Sequence, residues 1–258
     1  MGIFVTCGFP GKHDTLPLLY AIAAGGADFI ELGMPFSDPL AEGGPIQHSS
    51  EVALLNGVSL KTVLETAREF TTNDDTPLLL MGYFNPIMQY GTSNFCRDAR
   101  SSGVSGLIIP DLPPEEGAEF LNLAADHELD VVLLVAPNTT DIRLAAIDAL
   151  ASGFVYAVSV TGLTGSGLSS TATINEYLAR ARRVVVRNPL LVGFGIRNSA
   201  DAVALLPNVD GFIVGSALIT EISRLWREKS ARRLDDITRF VEGLRPSSEP
   251  SIRPKSNG

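Results

Sequence analysis

The chain has few of the residues that hold metals and disulfides. Its 258 residues include only two cysteines and three histidines, and none of these five falls in the spacing of a Cys/His zinc motif. Cys7 and Cys96 lie far apart in the sequence. We therefore predict reduced structural thiols and no bound metal.

Long apolar runs and a basic surplus are also missing. No apolar stretch approaches the roughly 20 residues that span a bilayer, and the first residues lack the basic leader and cleavage pattern of a secretory signal. We therefore predict a cytoplasmic protein that does not bind membranes. The formal net charge of −9 argues against nucleic acid, whose phosphates require a basic surface. A phosphorylated small molecule would have to be bound by local donors.

The chain does contain short β-branched apolar runs that alternate with amphipathic stretches. Runs that are apolar on both faces suit parallel strands covered by helices, and eight such units predict a single-domain TIM (β/α)8 barrel over residues 1–245. A doubly wound sheet is the alternative, but no nucleotide fingerprint is present. The Pro- and Ser-rich residues 246–258 predict a disordered tail. The predicted strands are 3–7, 29–32, 78–81, 106–109, 131–135, 154–158, 190–193 and 211–214. The predicted helices include 16–24, 60–70, 115–126, 143–151, 174–183 and 200–206.

One buried strand ends in an acid and is followed by two more. Glu31 closes an apolar run, and Asp38 and Glu42 follow on a loop stiffened by proline and glycine. A carboxyl group is expensive to desolvate, so it tends to persist in such a place for chemistry or for a specific partner. Two carboxyl groups held around a small substrate could carry general acid/base catalysis. An acidic surface loop with one satisfied carboxylate is the alternative.

Further polar residues follow other strands. Active sites of TIM barrels lie at the carboxyl ends of the strands, where Tyr83, Asp111 and Tyr156 are expected. We predict that these three side chains contact a substrate, although a structural role for Asp111 is equally compatible with its position. Phe4 suits the core or the face of an aromatic ligand.

Glycines late in the chain predict a phosphate site. Gly195 follows the seventh strand, and Gly215 and Ser216 stand where the eighth strand passes into a helix. Backbone N–H groups at a helix start bind anions, and the loops after strands seven and eight commonly hold phosphate in this fold. Tight turns are the alternative reading of these glycines. The Gly- and Thr-rich residues 160–170 predict a lid over the barrel mouth.

Six segments in order resemble one family. Residues 31–47 read E-L-G-M-P-F-S-D-P-L-A-E-G-G-P-I-Q, close to the signature of the tryptophan synthase alpha subunit. The resemblance continues through five segments and covers most of residues 3–245. These segments are 79–86, 106–114, 154–165, 192–196 and 211–216.

The resemblance implies a carbon–carbon lyase of tryptophan biosynthesis that needs no cofactor. It would cleave indole-3-glycerol phosphate to indole and glyceraldehyde 3-phosphate, with Glu31 as the acid/base and Glu42 at the indole nitrogen. Substrate contacts are expected from Thr164, Gly165 and Phe194 in addition to the residues above. The resemblance also implies a beta-subunit partner through the Asp38 loop.

The chain departs from the family pattern at three places. The family has aspartate where Glu42 stands, its Gly-Pro-x becomes Gly43-Gly44-Pro45, and its extra N-terminal floor helix is missing. These departures leave two alternatives open. One is a diverged paralogue that acts on another phosphorylated substrate, such as an isoprenoid phosphate or diphosphate. The other is a non-catalytic protein that binds a ligand or partner.

Overall fold

The computed structural model describes residues 1–39, 42–158, 171–193 and 195–246. In this part of the chain eight parallel strands close into one barrel, in which each strand pairs with its neighbours in sequence and β8 returns to β1. The strands are β1 (Gly2–Thr6), β2 (Phe29–Gly33), β3 (Leu78–Met81), β4 (Gly106–Ile108), β5 (Asp130–Val135), β6 (Val155–Ala157), β7 (Leu190–Gly193) and β8 (Gly211–Val214).

Helices surround this barrel. They are α1 (Thr15–Ala24), α2 (Gly44–Leu55), α3 (Leu60–Asn73), α4 (Phe84–Tyr90), α5 (Thr92–Ser101), α6 (Ala118–Asp126), α7 (Asp141–Leu150), α8 (Thr171–Val184), α9 (Ser199–Leu205), α10 (Ser216–Arg227) and α11 (Arg233–Glu242). A short 3-10 turn, Leu206–Asn208, follows α9.

The prediction of a TIM barrel is confirmed. All eight predicted strands are present, and each of their ends lies within one residue of the prediction. The predicted helices are also present, with ends that differ by up to three residues. The elements α2, α4, α5 and α11 were not among the predicted helices. The predicted boundary at residue 245 and the disordered tail stay predictions, because residues 247–258 lie outside the described part of the chain.

Two apolar layers hold the barrel together. The larger layer lies between the strands and the helices and includes Ile3, Leu32 and Leu80. The smaller one fills the inside of the barrel, because alternate side chains of each strand point inward. Its buried members are Leu79, Ile108, Val132, Phe154, Tyr156, Leu191 and Ile213.

Glycines make room for the large rings inside the barrel. A Cβ atom on Gly33 would lie 2.6 Å from the ring of Phe4, and one on Gly193 would lie 2.1 Å from the hydroxyl of Tyr156. Real side chains do not approach so closely, so both positions require the missing side chain. The interior is therefore packed up to the layer that carries Glu31.

Acids tie the helices to the strands at the amino-terminal end of the barrel, which we call the floor. Asp148 on α7 accepts hydrogen bonds from the segment that leads into β7. Asp210, just before β8, accepts from the N–H of Leu190 and pairs with Arg182. These contacts fix the ends of β7 and β8.

Candidate active site

Glu31 is an acid inside the barrel. It is the third residue of β2 and lies in register with Phe4 on β1 and Leu79 on β3. The side chain is fully buried, and neither carboxyl oxygen has a hydrogen-bond partner in the described residues. Burial disfavours the charged form and raises the pKa of Glu31 to about 8. Near neutral pH this carboxyl group is mostly protonated and able to donate a proton.

Glu42 lies just before α2 and is a second, partly buried acid. Its Oε2 atom is buried and has no partner in the described residues. Burial raises the pKa of Glu42 to about 7, and a hydrogen bond from Tyr83 opposes that rise. Because a donor stabilises the ionised form, Glu42 is the more readily ionised of the two acids.

Neighbours of the two acids both lie close to Gly215. Phe4, beside Glu31 in the sheet register, lies 3.4 Å from the position of a Cβ on Gly215, and Ile46 on α2 lies at the same distance from that position. Ile46 belongs to the first turns of α2, directly after Glu42. Glu42 accepts from Tyr83, which follows β3, and Glu31 lies two residues before the end of β2, so both acids lie towards the carboxyl ends of the strands.

The predicted aromatic residues lie around these acids. Tyr156 on β6 is buried inside the barrel. Burial, reinforced by the nearby charge of Glu31, raises the pKa of its hydroxyl well above the ordinary value. Tyr83 follows β3, is almost fully buried, and packs against Phe36 with ring centroids 5.0 Å apart. The phenol of Tyr156 is thus neutral beside Glu31, and the phenol of Tyr83 donates to Glu42.

The predicted phosphate residues lie at the rim. Gly195 has a φ of +67° and open space around its Cβ position. Gly215 precedes α10, which begins at Ser216 and has no side-chain cap at its start. The first N–H groups of a helix have no partner within the helix, so this start can donate to an anion. The predicted contacts Thr164, Gly165 and Phe194 lie outside the described residues.

Asp111 and Asp38 occupy the outer part of this rim. Both oxygens of Asp111 accept from the backbone N–H of Phe84, at 2.9 and 3.2 Å, and so cap the start of α4 directly after Tyr83. Asp38 is exposed and accepts from the hydroxyl of Ser37. The observed contact of Asp111 is structural, and its substrate contact stays a prediction.

Gln47 was not among the predicted site residues. Its side-chain amide donates to the backbone carbonyl of Glu42 at 2.9 Å. The only signal in the sequence was its place at the end of the segment 31–47. Nothing in the residue type itself separates such a glutamine from one on an exposed helix.

The two thiols and the acids show no metal-binding arrangement in the described ranges. No group of three or more histidine, cysteine, aspartate and glutamate side chains there could hold a metal ion. Cys7 and Cys96 are buried and free, and burial raises the pKa of each to about 11. Within the same ranges, no helix has the length and apolarity needed to cross a membrane.

A closed parallel barrel with one fully buried and one partly buried acid towards the carboxyl ends of its strands defines a TIM-barrel enzyme suited to proton transfer. The particular family follows from comparison with known proteins. Residues 3–246 match the family described as tryptophan synthase alpha chain, and this chain belongs to that family.

Relatives cover nearly the whole chain. The tryptophan synthase alpha chain of Petrotoga mobilis is 43% identical over 242 residues, which are 94% of this chain and 93% of that one. The alpha subunit of Legionella pneumophila superposes with a TM-score of 0.87 at 35% identity and covers 94% of this chain and 90% of its own. The tryptophan synthase alpha subunit of Pyrococcus furiosus superposes with a TM-score of 0.85 at 40% identity, and the match covers 95% of this chain and 96% of that one.

Proposed function

We propose that this chain cleaves indole-3-glycerol phosphate to indole and glyceraldehyde 3-phosphate, without a cofactor, by a retro-aldol reaction. The observation that carries the proposal is the fully buried carboxyl group of Glu31, with both oxygens unpartnered in the described residues, together with the partly buried Glu42, whose Oε2 is likewise unpartnered. Membership of the tryptophan synthase alpha chain family supports it. In the described residues, neither carboxyl group has a structural partner that would account for its burial, except the contact of Glu42 with Tyr83.

Glu31 is proposed as the acid and then the base. Its protonated form donates to C3 of the indole, which generates a carboxylate. That carboxylate takes the proton of the side-chain hydroxyl while the carbon–carbon bond breaks, and the electron pair of this bond returns to the ring. Glu31 ends protonated, as it began. A raised pKa favours this cycle because it holds the resting group in the acid form.

Glu42 is proposed to face the ring nitrogen. Protonation at C3 places positive charge on the N1–H group, and a carboxylate that accepts from this group stabilises the charge as it develops. The hydrogen bond from Tyr83 favours the ionised form of Glu42 that this role needs. The two acids thus differ in their proposed roles as they differ in pKa.

The remaining predicted residues are proposed to bind the substrate. Phe4 and Tyr156 would contact the indole from inside the barrel, and the backbone around Gly195, Gly215 and Ser216 would hold the phosphate. The N–H groups at the start of α10 supply the local donors that an acidic protein needs for an anionic substrate.

A beta-chain partner and a cytoplasmic location complete the proposal. A solved structure from Pyrococcus furiosus, 39% identical to this chain, concerns a tryptophan synthase a2b2 complex. We propose that this chain also binds a beta chain, through the exposed Asp38 segment. The alternatives of a diverged substrate or a non-catalytic binding protein are not favoured by the family match.

The test is release of indole from indole-3-glycerol phosphate by the purified protein and by two variants. Glu42→Ala is expected to remove most of the activity, whereas Glu42→Asp is expected to retain or raise it, because aspartate is the residue of the family pattern. Release of no indole by the wild type would exclude the lyase. Full activity of Glu42→Ala would exclude the role of Glu42 and leave the lyase standing.

A further inference from the structure

The position of the Glu42 carboxyl group depends on a backbone that no helix or strand holds at that residue. Glu42 precedes α2 and is followed by Gly43 and Gly44. A Cβ atom on Gly44 would meet nothing within 4 Å, so tight packing does not fix this stretch. Glycines give the main chain more freedom than other residues, and a carboxyl group used at an accurate distance therefore needs another anchor.

Gln47 supplies two contacts to this stretch. Its side-chain Nε2 donates to the carbonyl of Glu42 at 2.9 Å, and its backbone N–H donates to the carbonyl of Gly43 at 3.1 Å. The first contact fixes the peptide plane that follows Glu42. The Cα–Cβ direction of Glu42 depends on that plane, so the amide of Gln47 helps to determine where the carboxyl group lies.

Gln47 itself stands on a helix that is fastened to the barrel. The hydroxyl groups of Ser49 and Thr6 lie 2.6 Å apart in a buried contact, which joins α2 to the end of β1. Ser49 also donates to the carbonyl of Ile46 at 2.7 Å. The contact from Gln47 therefore ties the backbone carbonyl of Glu42 to a helix that is hydrogen-bonded to β1.

We propose that Gln47 is a positioning residue for the reaction, which holds the carboxyl group of Glu42 at the ring nitrogen of the substrate through the backbone of Glu42. Tyr83 holds the carboxyl end of the same residue, so Glu42 is fixed at both ends. The longer side chain of glutamate makes the backbone hold more important than it would be for aspartate. This inference rests on the proposed lyase function.

The first experiment compares Gln47→Ala with Gln89→Ala in the lyase assay. Displacement of a catalytic group by about 1 Å can cost on the order of 100-fold in rate, so Gln47→Ala should lower kcat by about 10- to 100-fold with little change in KM. Gln89 is exposed on α4 and, within the described part of the chain, its side chain donates only to that of Asn85, so its variant should match the wild type. A Gln47→Ala enzyme within twofold of the wild type overturns the proposal.

The second experiment asks whether Gln47 acts through Glu42. In a Glu42→Ala background the carboxyl group is gone, so adding Gln47→Ala should change kcat by less than about twofold, because coupled residues are not additive. The same loss of activity in both backgrounds would mean that Gln47 acts elsewhere, and it would overturn the proposal. All four proteins are compared well below their melting temperatures.

A third measurement separates this inference from the lyase function itself. The infrared carboxyl band that Glu42→Ala abolishes is titrated in the wild type and in Gln47→Ala. Release of the backbone should let the Glu42 carboxyl reach water and move its titration midpoint towards that of a solvated glutamate. An unchanged midpoint overturns the positioning role. If the midpoint differs between the wild type and Gln47→Ala but the wild type releases no indole, the positioning of Glu42 by Gln47 stands and the lyase function is refuted.

Discussion

Asp148 and Glu31 are both buried acids, but they lie at opposite ends of the barrel and have opposite surroundings. At the floor, Asp148 accepts from the backbone N–H groups of Val186, Arg187 and Asn188 at 2.8 to 3.0 Å. Burial alone would raise its pKa, but these hydrogen bonds outweigh burial and lower it. At the mouth, Glu31 has no such donor among the described residues, and burial raises its pKa to about 8.

The difference separates stabilising acids from reactive ones. A buried carboxylate that accepts several N–H groups organises the backbone around it and contributes to the stability of the fold. A buried carboxyl group without a partner costs free energy, and such a cost is typical of sites that are kept for function. A buried carboxyl group can thus be assigned to the floor or to the chemistry by its donors alone.

The largest expected effect comes from converting the reactive acid to its amide. Glu31→Gln preserves size but cannot transfer a proton, so indole release should fall by about 10²- to 10⁴-fold. The melting temperature should not fall, and affinity for inorganic phosphate should stay close to that of the wild type. A parallel loss of melting temperature and activity would assign Glu31 to the structure, as is the case for Asp148.

The same conversion at the floor should have the opposite result. Asp148→Asn replaces one carboxylate oxygen by a donor and leaves buried N–H groups without an acceptor, so we expect a loss of about 2–4 kcal/mol in the free energy of unfolding. Urea denaturation measures this loss. Indole release per folded molecule should change less than twofold. An unchanged urea midpoint would contradict the assigned role.

The pH dependence of stability should separate the two ends as well. The folded protein keeps the Glu31 proton up to a pH of about 8, whereas a solvated glutamate loses it near 4.5. Between these values the folded state binds more protons, so Glu31 lowers the stability of the wild type as the pH rises. In urea unfolding, the free energy of unfolding of Glu31→Gln relative to that of the wild type should therefore rise by about 2 kcal/mol from pH 6 to pH 8.

Asp148 serves as the control for this titration. Its pKa is lowered in the folded state, so its contribution is present above the ordinary value of 3.8 and is lost as the pH falls through the lower folded value. The deficit of Asp148→Asn should therefore stay constant between pH 6 and 8. If the difference in stability between Glu31→Gln and the wild type is also constant over this range, Glu31 does not titrate there.

The strands and the reactive acid were predictable because their signals are local. Runs that are apolar on both faces predicted all eight strands, and Glu31 stood out as an acid at the end of such a run. The partners of Asp148 lie 38 to 40 positions further along the chain. No local pattern marks those contacts, so the sequence did not distinguish Asp148 from an exposed helical aspartate.

The helix starts near the mouth were harder to predict for the same reason. The cap of α4 comes from Asp111, 27 positions away from Phe84, and α2 is fastened to β1 through Thr6 and Ser49, 43 positions apart. Tertiary contacts, and not local propensity, fix these elements. Gln47 was not predicted because its role depends on a hydrogen bond to the backbone carbonyl of Glu42, and the start of α2 determines where that carbonyl lies relative to Gln47.

The smallest expected effect concerns Asp111, an acid at the mouth that is partnered like the acids of the floor. Its carboxylate accepts only from the backbone N–H of Phe84 in the described residues. Asp111→Asn retains an oxygen for this bond, so stability should fall by about 1 kcal/mol or less and kcat should change less than about threefold.

Asp111→Ala removes the cap and should cost about 1 kcal/mol. Because α4 begins directly after Tyr83, the alanine variant should also lower kcat modestly. Urea unfolding and steady-state kinetics of both variants measure these effects. If instead both variants raise KM equally while stability is unchanged, Asp111 contacts the substrate, and the rule that a partnered acid is a structural one fails at the mouth of the barrel.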